Sequence, residues 1–389
     1  MKQKIGFFLP VTLGMLTAFG PFITDFYLPS IPEMQGYFNT SPSLMAMSIT
    51  AGMIGLAVGQ IFIGPISDKY GRKNLLVASM ALFAISSVLC VMAPNIFIFN
   101  LMRLLQGFAG AGGVVLAKSI STDMFSGKDL AKFMAILAAI NGIAPVTAPI
   151  IGGSIANFAS WQGVFILLII LGIILMLCSL RLRETLPPSR RSQKNIWHVY
   201  ANLFKVFRNR RFALASLAST ASCFGLFAYI AASPYIFQDF YNLSPIAFSI
   251  CFGINALMIG IGSALCALFK RQHFNLLFAS ANFLFGAVLV ALCHIFNMPL
   301  LLLMACYSYL FISFGLLQPV ATAIALDSER HNAGAASAVF GASSFFAGGL
   351  ASPLVSMGDM LISTSLVILF SALACLALII PLCRLLKRG

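Results

Sequence analysis

Apolar residues in this chain form long runs that are separated by short polar segments. Twelve such runs lie at roughly 5–28, 44–66, 74–94, 96–118, 131–156, 162–182, 212–234, 245–268, 274–296, 299–326, 333–355 and 361–383. A helix of about 20 apolar residues crosses the hydrocarbon core of a bilayer, and each run reaches that length. The pattern therefore predicts twelve transmembrane helices joined by short loops.

The first run begins with basic residues, as a secretory signal peptide does. It extends over about 24 residues, whereas the apolar core of a signal peptide has roughly 7–15. Its small residues Ala18 and Gly20 are followed directly by Pro21. We interpret this run as a retained first span.

Composition supports a membrane protein over a soluble one. The 389 residues are 60% hydrophobic and 9% charged, whereas an ordinary soluble domain has roughly 25% charged residues. The twelve spans leave only short loops, so there is no room for a separate catalytic domain. The predicted fold class is an all-α membrane protein with twelve transmembrane helices in two six-helix bundles.

The basic residues lie on one side of the predicted membrane. If the spans alternate in direction, 23 of the 24 Lys and Arg residues fall on the same side. The opposite loops contain no Lys or Arg and hold the acidic residues Glu33, Asp239 and Asp359. This asymmetry follows the positive-inside rule and predicts that both termini are cytoplasmic. The net charge of +14 is thus explained by orientation and by contact with anionic lipids, and nucleic acid is not the predicted partner.

The longest connection divides the chain into two halves. We predict an N-terminal bundle at 1–185, a cytoplasmic linker at 186–211 and a C-terminal bundle at 212–389. The linker places apolar residues at helical spacing among basic ones, which predicts an amphipathic helix in the headgroup layer; a calmodulin-like partner site is an alternative. The apolar positions are Ile196, Val199, Tyr200, Leu203 and Phe207. Two six-span halves are typical of secondary transporters, whose substrate site lies near the bilayer midplane.

Motifs for other functions are absent from the sequence. The nearest match to a phosphate-binding loop, at 112–119, has Ala117 where the second glycine is required and follows an apolar helix instead of a strand. The nine cysteines form no CxxC pair and the four histidines are scattered. We therefore predict no metal, no cofactor and no enzyme, although a membrane enzyme or a non-transporting receptor remains the alternative of a different class.

Two charged residues lie within the predicted spans. Asp25 is about three residues from the outer end of the first span, and Arg103 is about seven residues from the outer end of the fourth. Ions in hydrocarbon cost several kcal/mol each, so they usually face a cavity or a partner. We predict that Asp25 carries a proton in the transport cycle, beside Arg103. The alternatives are a static ion pair or an Asp25 that caps its helix at the interface.

The segment 64–73 closely resembles the signature loop between the second and third spans of the major facilitator superfamily. Its matching residues are Gly64, Asp68, Gly71, Arg72 and Lys73. Gly64 permits close helix approach, Gly71 permits a tight turn, and Asp68 can favour the dipole of the third helix. The resemblance implies that this loop latches the cytoplasmic ends of the two halves together in one conformer.

Further segments narrow the resemblance to the Bcr/CflA drug-resistance transporters. The stretch 103–107 resembles the fourth-span motif of proton-coupled members, which implies a role for Arg103 in proton transfer. The fifth span resembles the antiporter motif through Asn141, Gly142, Pro145, Pro149, Gly152 and Gly153. Segments 25–32, 184–186 and 233–235 are also similar to that group, whereas the second-half copy of the signature loop, at 270–273, is degenerate.

The resemblance implies proton-coupled efflux of small amphipathic drugs, phenicol-like or bicyclomycin-like, by alternating access across the bacterial inner membrane. It implies that spans one, four, seven and ten line the cavity, for which we select Gln106, Tyr229, Asn255, Tyr307 and Gln318. We expect small-molecule substrates, protons and lipids as partners, and a monomer. The alternative is export of an endogenous metabolite, such as an amino acid or nucleoside, on the same fold.

Overall fold

The computed structural model describes residues 8–193, 200, 203–269, 271–329 and 333–387, and every regular element in these ranges is a helix. The chain divides into two compact units. Unit 1 contains Met1–Phe38 and Ala51–Tyr200, and unit 2 contains Asn39–Thr50 and Ala201–Gly389. The first part of one long helix thus belongs to unit 2 although most of that helix lies in unit 1.

Seven helices precede residue 182. They are α1 (Phe8–Thr17), α2 (Phe19–Asp25), α3 (Ile31–Tyr37), α4 (Pro42–Tyr70), α5 (Lys73–Val91), α6 (Ile96–Met124) and α7 (Gly127–Arg181). In the described part of the chain, ten helices are long and apolar enough to cross a membrane, or eleven if the bent first path counts as one span. The predicted all-helical membrane fold is confirmed.

The first span is bent, whereas its sequence predicted a continuous run at 5–28. The helices on the two sides of Ala18 meet at 47°. Pro21 has no N–H to offer the carbonyl one turn earlier, and the Thr17 hydroxyl donates back to the Gly14 carbonyl (2.7 Å), a bond that often bends helices. The helical path then continues through Leu28–Ser30 to the end of α3. Asp25 therefore lies within this path and not about three residues from its end.

Helix α7 contains the fifth and sixth predicted spans. Its 55 residues would extend about 80 Å at 1.5 Å per residue, far beyond the roughly 30 Å hydrocarbon core. Ala159 and Ser160 have non-helical backbone angles, and Ser160 has a φ of 53°. The helix is therefore divided at the position where the sequence predicted a loop.

The described residues of unit 2 form six further α-helices after the linker. They are α8 (Arg210–Pro234), α9 (Pro245–Leu265), α10 (Gln272–Ile295), α11 (Leu300–Ser328), α12 (Ala333–Val355) and α13 (Met360–Lys387), with a π-helical turn at Tyr235–Phe240. Of the predicted linker helix, Ile196 and Val199 lie outside the described residues. Leu203 is buried, and the segment Phe204–Arg208 is a 3-10 helix.

Two turns show that the halves of the chain repeat one local structure. Asn39 and Asn242 both have a left-handed backbone, with φ of 46° and 55°. Each is followed by a serine and a proline that begin a helix. The Ser41 hydroxyl oxygen accepts from the Leu44 N–H (3.3 Å), and that of Ser244 accepts from the Ala247 N–H (3.2 Å). The same cap thus begins α4 and α9.

Glycines bring α4 and α6 into backbone contact within unit 1. A Cβ added to Gly55 would lie 2.2 Å from the Leu104 carbonyl oxygen, and one on Gly107 would lie 2.0 Å from the Gly52 oxygen. Small residues allow this approach because no side chain separates the backbones. The sequence assigned this role to Gly64, but a Cβ there would lie 3.7 Å from Val115, an ordinary contact.

Candidate functional site

Asp25 is a buried acid at the end of α2. Only 3% of the residue is exposed, and its Oδ1 accepts a hydrogen bond from the Thr24 hydroxyl (2.6 Å). In the described ranges the ion pairs within 4 Å are both made by Arg72, so Asp25 has no cationic partner at that distance there. The geometry therefore disfavours both an exposed helix cap and a static ion pair.

Arg103 links α6 to the helix that carries Asp25. It is fully buried, and its Nη2 donates to the Ile23 carbonyl oxygen (2.6 Å) while its Nη1 donates to the Gln106 side chain. Its Cζ lies 4.3 Å from the centre of the Tyr27 ring, a distance at which a cation is attracted to the ring face. The guanidinium is thus held by two neutral groups, the Ile23 carbonyl and the Tyr27 ring, which lie two residues before and two residues after Asp25.

Gln106 is part of this cluster and not a separate cavity residue. Its amide Nε2 donates to the Ser87 hydroxyl (2.7 Å) on α5, so the hydrogen bonds connect three helices. Gly52 leaves space for the guanidinium, because a Cβ at this position would lie 3.1 Å from Arg103 Nη2. Sequence reasoning missed Gly52, although its spacing with Gly55 and Gly59 along α4 could have indicated a packing surface.

The predicted antiporter segment is placed in two different environments. Pro149, Gly152 and Gly153 are buried, Pro145 is half-buried, and Asn141 and Gly142 are exposed. A Cβ added to Gly152 would lie 1.8 Å from the carbonyl oxygen of Phe26, whereas one on Gly142 would meet nothing within 4 Å. The glycine nearer the end of the segment thus lets α7 touch the backbone next to Asp25.

The predicted signature loop forms a charged cluster at the turn between α4 and α5. Arg72 is buried, and it pairs with Asp68 (2.7 Å) and with Asp123 at the end of α6 (3.0 Å). Its Nη1 also donates to the Ser67 hydroxyl. Gly71 has a φ of 106°, a left-handed angle that suits glycine. The loop therefore ties three helix ends together within unit 1.

Glu184 completes this cluster, in a role that the sequence assigned to Asp68. Its carboxylate accepts from the backbone N–H groups of Arg72 (2.9 Å) and Lys73 (3.2 Å) at the start of α5. Burial alone would raise the pKa of Glu184, but hydrogen bonds from backbone N–H groups, including that of Leu186, outweigh it and leave the pKa below its usual value. An anion at a helix N-terminus is favoured by the helix dipole.

Three of the predicted cavity residues meet in unit 2. Tyr229, Asn255 and Tyr307 are nearly fully buried, and Asn255 Nδ2 donates to the Tyr229 hydroxyl (2.9 Å). The rings of Tyr229 and Tyr307 have centres 4.7 Å apart. Gln318 lies further along α11, where its amide contacts the hydroxyls of Ser219 (2.8 Å) and Ser222 (3.0 Å). These residues therefore belong to two clusters.

No group of three or more His, Cys, Asp or Glu side chains that could hold a metal ion was found among the described residues. Helices that are long enough to cross a membrane and that carry a buried carboxyl and a buried arginine are typical of multi-pass membrane transporters. Residues 13–353 match the Major Facilitator Superfamily. The chain belongs to this superfamily, and it is a transporter and not an enzyme.

Known relatives cover most of the chain. It is 36% identical over 366 residues to the uncharacterized MFS-type transporter YdgK of Bacillus subtilis, covering 92% of this chain and 90% of the relative. It is 29% identical over 272 residues to a bicyclomycin resistance protein homolog of Haemophilus influenzae, covering 70% and 68%. Among solved structures, the xylose transporter XylE from E. coli matches with a TM-score of 0.75 at 14% identity, covering 95% of this chain and 96% of that chain; this likeness shows the fold alone.

Proposed function

We propose that this transporter exports small uncharged amphipathic molecules in exchange for protons, by alternating access, and that Asp25 carries the proton. The observation that carries the proposal is the isolation of the Asp25 carboxyl. It is 3% exposed and bonded to the neutral Thr24 hydroxyl at 2.6 Å. An ionised carboxylate in such a place costs several kcal/mol unless it is paired, and proton binding removes that cost.

Arg103 supports this role without neutralising the acid. Its hydrogen bond to the Ile23 carbonyl fixes the α2 backbone two residues before Asp25, and its second bond goes to Gln106. We infer that the bond to Ile23 holds the Asp25 carboxyl in position while the guanidinium charge stays with neutral partners. Protonation and deprotonation of Asp25 then change the local charge without breaking an ion pair.

The substrate class is inferred from what the spans do not contain. Asp25 is the only Asp or Glu that falls within a predicted span of this chain, so the spans offer no pair of fixed negative charges to a dication. Buried tyrosine, amide and serine groups suit neutral hydrogen-bonding molecules. The name of the Haemophilus influenzae relative refers to resistance to bicyclomycin, and that supports a drug of this kind as a first substrate to test. We also infer a bacterial inner membrane location with cytoplasmic termini, from the distribution of Lys and Arg.

The test uses purified protein in proteoliposomes with a pH-sensitive dye inside. Addition of bicyclomycin or a phenicol to the wild type should move protons in the opposite direction to the drug. Asp25→Asn should bind and exchange drug between the two sides but should neither move protons nor accumulate drug against its gradient. Asp25→Glu should restore part of both, and Asp239→Asn, which changes an acid in a predicted outer loop, is the matched control.

Two outcomes would contradict the proposal. Drug accumulation by Asp25→Asn at the wild-type rate would remove Asp25 from proton coupling. Proton movement driven by an amino acid or nucleoside, with none driven by any drug, would instead support the metabolite exporter. Both measurements use the same vesicles, so a failed reconstitution is detected by the wild-type control.

A further inference from the structure

A second buried titratable group lies in unit 2, in the last turn of α10. His294 is 4% exposed, and it lies at the end of α10 that is remote from the basic residue Arg271. Its ring touches two other helices: Nδ1 is 2.8 Å from Ser365 Oγ on α13, and Nε2 is 3.3 Å from the Tyr307 hydroxyl on α11. The imidazole therefore connects α10, α11 and α13.

The partners of His294 determine which ring nitrogen carries the hydrogen. Nδ1 also lies 3.1 Å from the Leu361 carbonyl oxygen, which can only accept. The Ser365 hydroxyl donates to that same carbonyl (2.8 Å), so its oxygen is free to accept from the imidazole. Both contacts require a hydrogen on Nδ1. In the neutral ring Nε2 is then an acceptor, and the Tyr307 hydroxyl donates to it.

The surroundings of this group contain one nearby acid among the described residues. Asp359, in the turn before α13, is this acid, and it is exposed. The other titratable groups are thiols and phenols. Cys293 lies on α10 and Cys306 and Tyr307 lie on α11, and the sulfur atoms of the two cysteines are 3.4 Å apart. Tyr241 follows the π-helical turn, and its hydroxyl donates to the Met298 carbonyl (2.7 Å).

We propose that His294 is a proton-binding site of unit 2, separate from Asp25, and that binding of a proton reverses the hydrogen bond between His294 and Tyr307. A hydronium ion supplies the proton to Nε2 and leaves as water, so no other bond is made or broken. Nε2–H then donates to the Tyr307 oxygen, and the Tyr307 hydroxyl hydrogen must turn to another acceptor. The Tyr307 ring packs on Tyr229, which is bonded to Asn255, so the change reaches the cluster that the sequence predicted as cavity lining.

The proposed orientation of the chain in the membrane determines from which side the proton reaches His294. The site itself does not depend on proton coupling at Asp25. The conservative variant separates titration from packing. His294→Gln can donate from its amide nitrogen and accept at its amide oxygen, yet it cannot change charge. If His294 served only as a structural hydrogen-bonding residue, the His294→Gln variant would respond to pH in the same way as the wild type.

The first measurement is ¹⁵N NMR of histidine-labelled protein in lipid nanodiscs, titrated from about pH 7.5 to about pH 3, a range wide enough to include a buried imidazole. The chain has four histidines, and the imidazole signal that is missing from the spectrum of His294→Gln is assigned to His294. In the wild type this signal should report the Nδ1–H tautomer at the upper pH and the imidazolium at the lower pH. An Nε2–H tautomer at the start, or no change down to the lowest pH, would overturn the proposal.

The second measurement is hydrogen–deuterium exchange at the ends of α10, α11 and α13 that meet at His294. After correction for intrinsic rates, exchange there should rise about tenfold on acidification, which corresponds to about 1.4 kcal/mol. The rise should vanish in His294→Gln and persist in His273→Gln, a histidine at the other end of α10. Ser365→Ala, which removes one acceptor, should change the midpoint of the rise. An undiminished rise in His294→Gln would refute the proposal, and Asp25→Asn should keep the rise even if export fails, so the two proposals are judged separately.

Discussion

Gly152→Ala tests whether close contact between α7 and the backbone after Asp25 sustains function. The added Cβ would lie 1.8 Å from the Phe26 carbonyl oxygen, whereas a carbon approaches a carbonyl oxygen to roughly 3.3 Å at best. The obstructing atom belongs to the backbone, so no change of rotamer can relieve the overlap. One of the two segments must therefore move by about 1.5 Å.

The expected cost follows from this displacement. Overpacking a well-packed interior costs typically 1–3 kcal/mol, and we expect the upper end of that range because the neighbour is a backbone atom. At about 1.4 kcal/mol per factor of ten, a 3 kcal/mol loss corresponds to about a hundredfold change in a folding or conformational equilibrium. Movement of either segment changes the contact next to Asp25, so proton-driven export should fall together with protein stability.

Gly142→Ala is the matched control in the same helix. A Cβ at Gly142 meets nothing within 4 Å, and replacing an exposed helical glycine by alanine stabilises a helix by up to about 1 kcal/mol. Both variants add one methyl group to a glycine of the predicted antiporter segment. We expect thermal unfolding in detergent at a lower temperature for Gly152→Ala and at the same or a higher temperature for Gly142→Ala.

The assay pairs these melting curves with proton-driven drug accumulation in vesicles. Accumulation should be lost by tenfold or more in Gly152→Ala and be retained in Gly142→Ala. If Gly152→Ala melts and accumulates drug like the wild type, the contact with Phe26 has no energetic importance and the reasoning is refuted. If both variants lose accumulation equally, the effect belongs to the helix as a whole and not to this contact.

Two further variants test the charged clusters of unit 1. Arg103→Lys keeps the positive charge but lacks the planar guanidinium that donates to both Ile23 and Gln106. We expect it to lose about 1.5–3 kcal/mol of stability, as is usual for hydrogen bonds to charged groups. It should therefore melt at a lower temperature than the exposed control Arg181→Lys, and an equal melting temperature would contradict this prediction. Glu184 has a pKa below its usual 4.5 in the folded protein, so its contribution to stability is present above that value and is lost as the pH falls through the folded pKa. Melting curves from about pH 7 to about pH 3 should show this loss in the wild type, whereas Glu184→Gln should melt lower at neutral pH and lack it; an unchanged pH dependence would refute the cap.

The sequence predicted the spans well because their signal is local. Apolar runs of bilayer length and the charges between them depend only on neighbouring residues. The turn at Gly71 and the buried ions at Asp25 and Arg103 were also found, since a glycine in a charged turn and a charge in an apolar run each stand out alone. The bend near Ala18 was missed because Pro21 was considered only as evidence against a cleavage site and not as a missing hydrogen-bond donor.

Contacts between distant residues were beyond the reach of one sequence. The cap that Glu184 provides for Arg72 joins residues 112 positions apart, and the contact between His294 and Ser365 joins residues 71 positions apart. Nothing local marks Glu184 as a better cap than Asp68, which lies four residues before Arg72. The glycines of α4 show the same limit. Gly55 and Gly64 are identical residues in the same helix, and only the position of α6 determines which of them contacts its backbone.

The separation of Asp25 from Arg103 has an energetic meaning for proton exchange. Removing one partner of a buried ion pair costs about 3–5 kcal/mol, so a proton that had to displace an arginine would face an equilibrium changed by a factor of roughly a hundred to several thousand. Arg103 instead binds the Ile23 carbonyl and Gln106, both neutral, and Asp25 binds a hydroxyl. Under the proposed function, unit 1 holds a cation against Ile23 and Tyr27, on the two sides of its proton carrier, and yet leaves the proton no ion pair to break. An engineered pair is the decisive comparison, because Gln106→Glu would give Arg103 a permanent anionic partner while leaving Asp25 untouched. Proton-driven export that survives this change would show that neutrality of the Arg103 partners is not required.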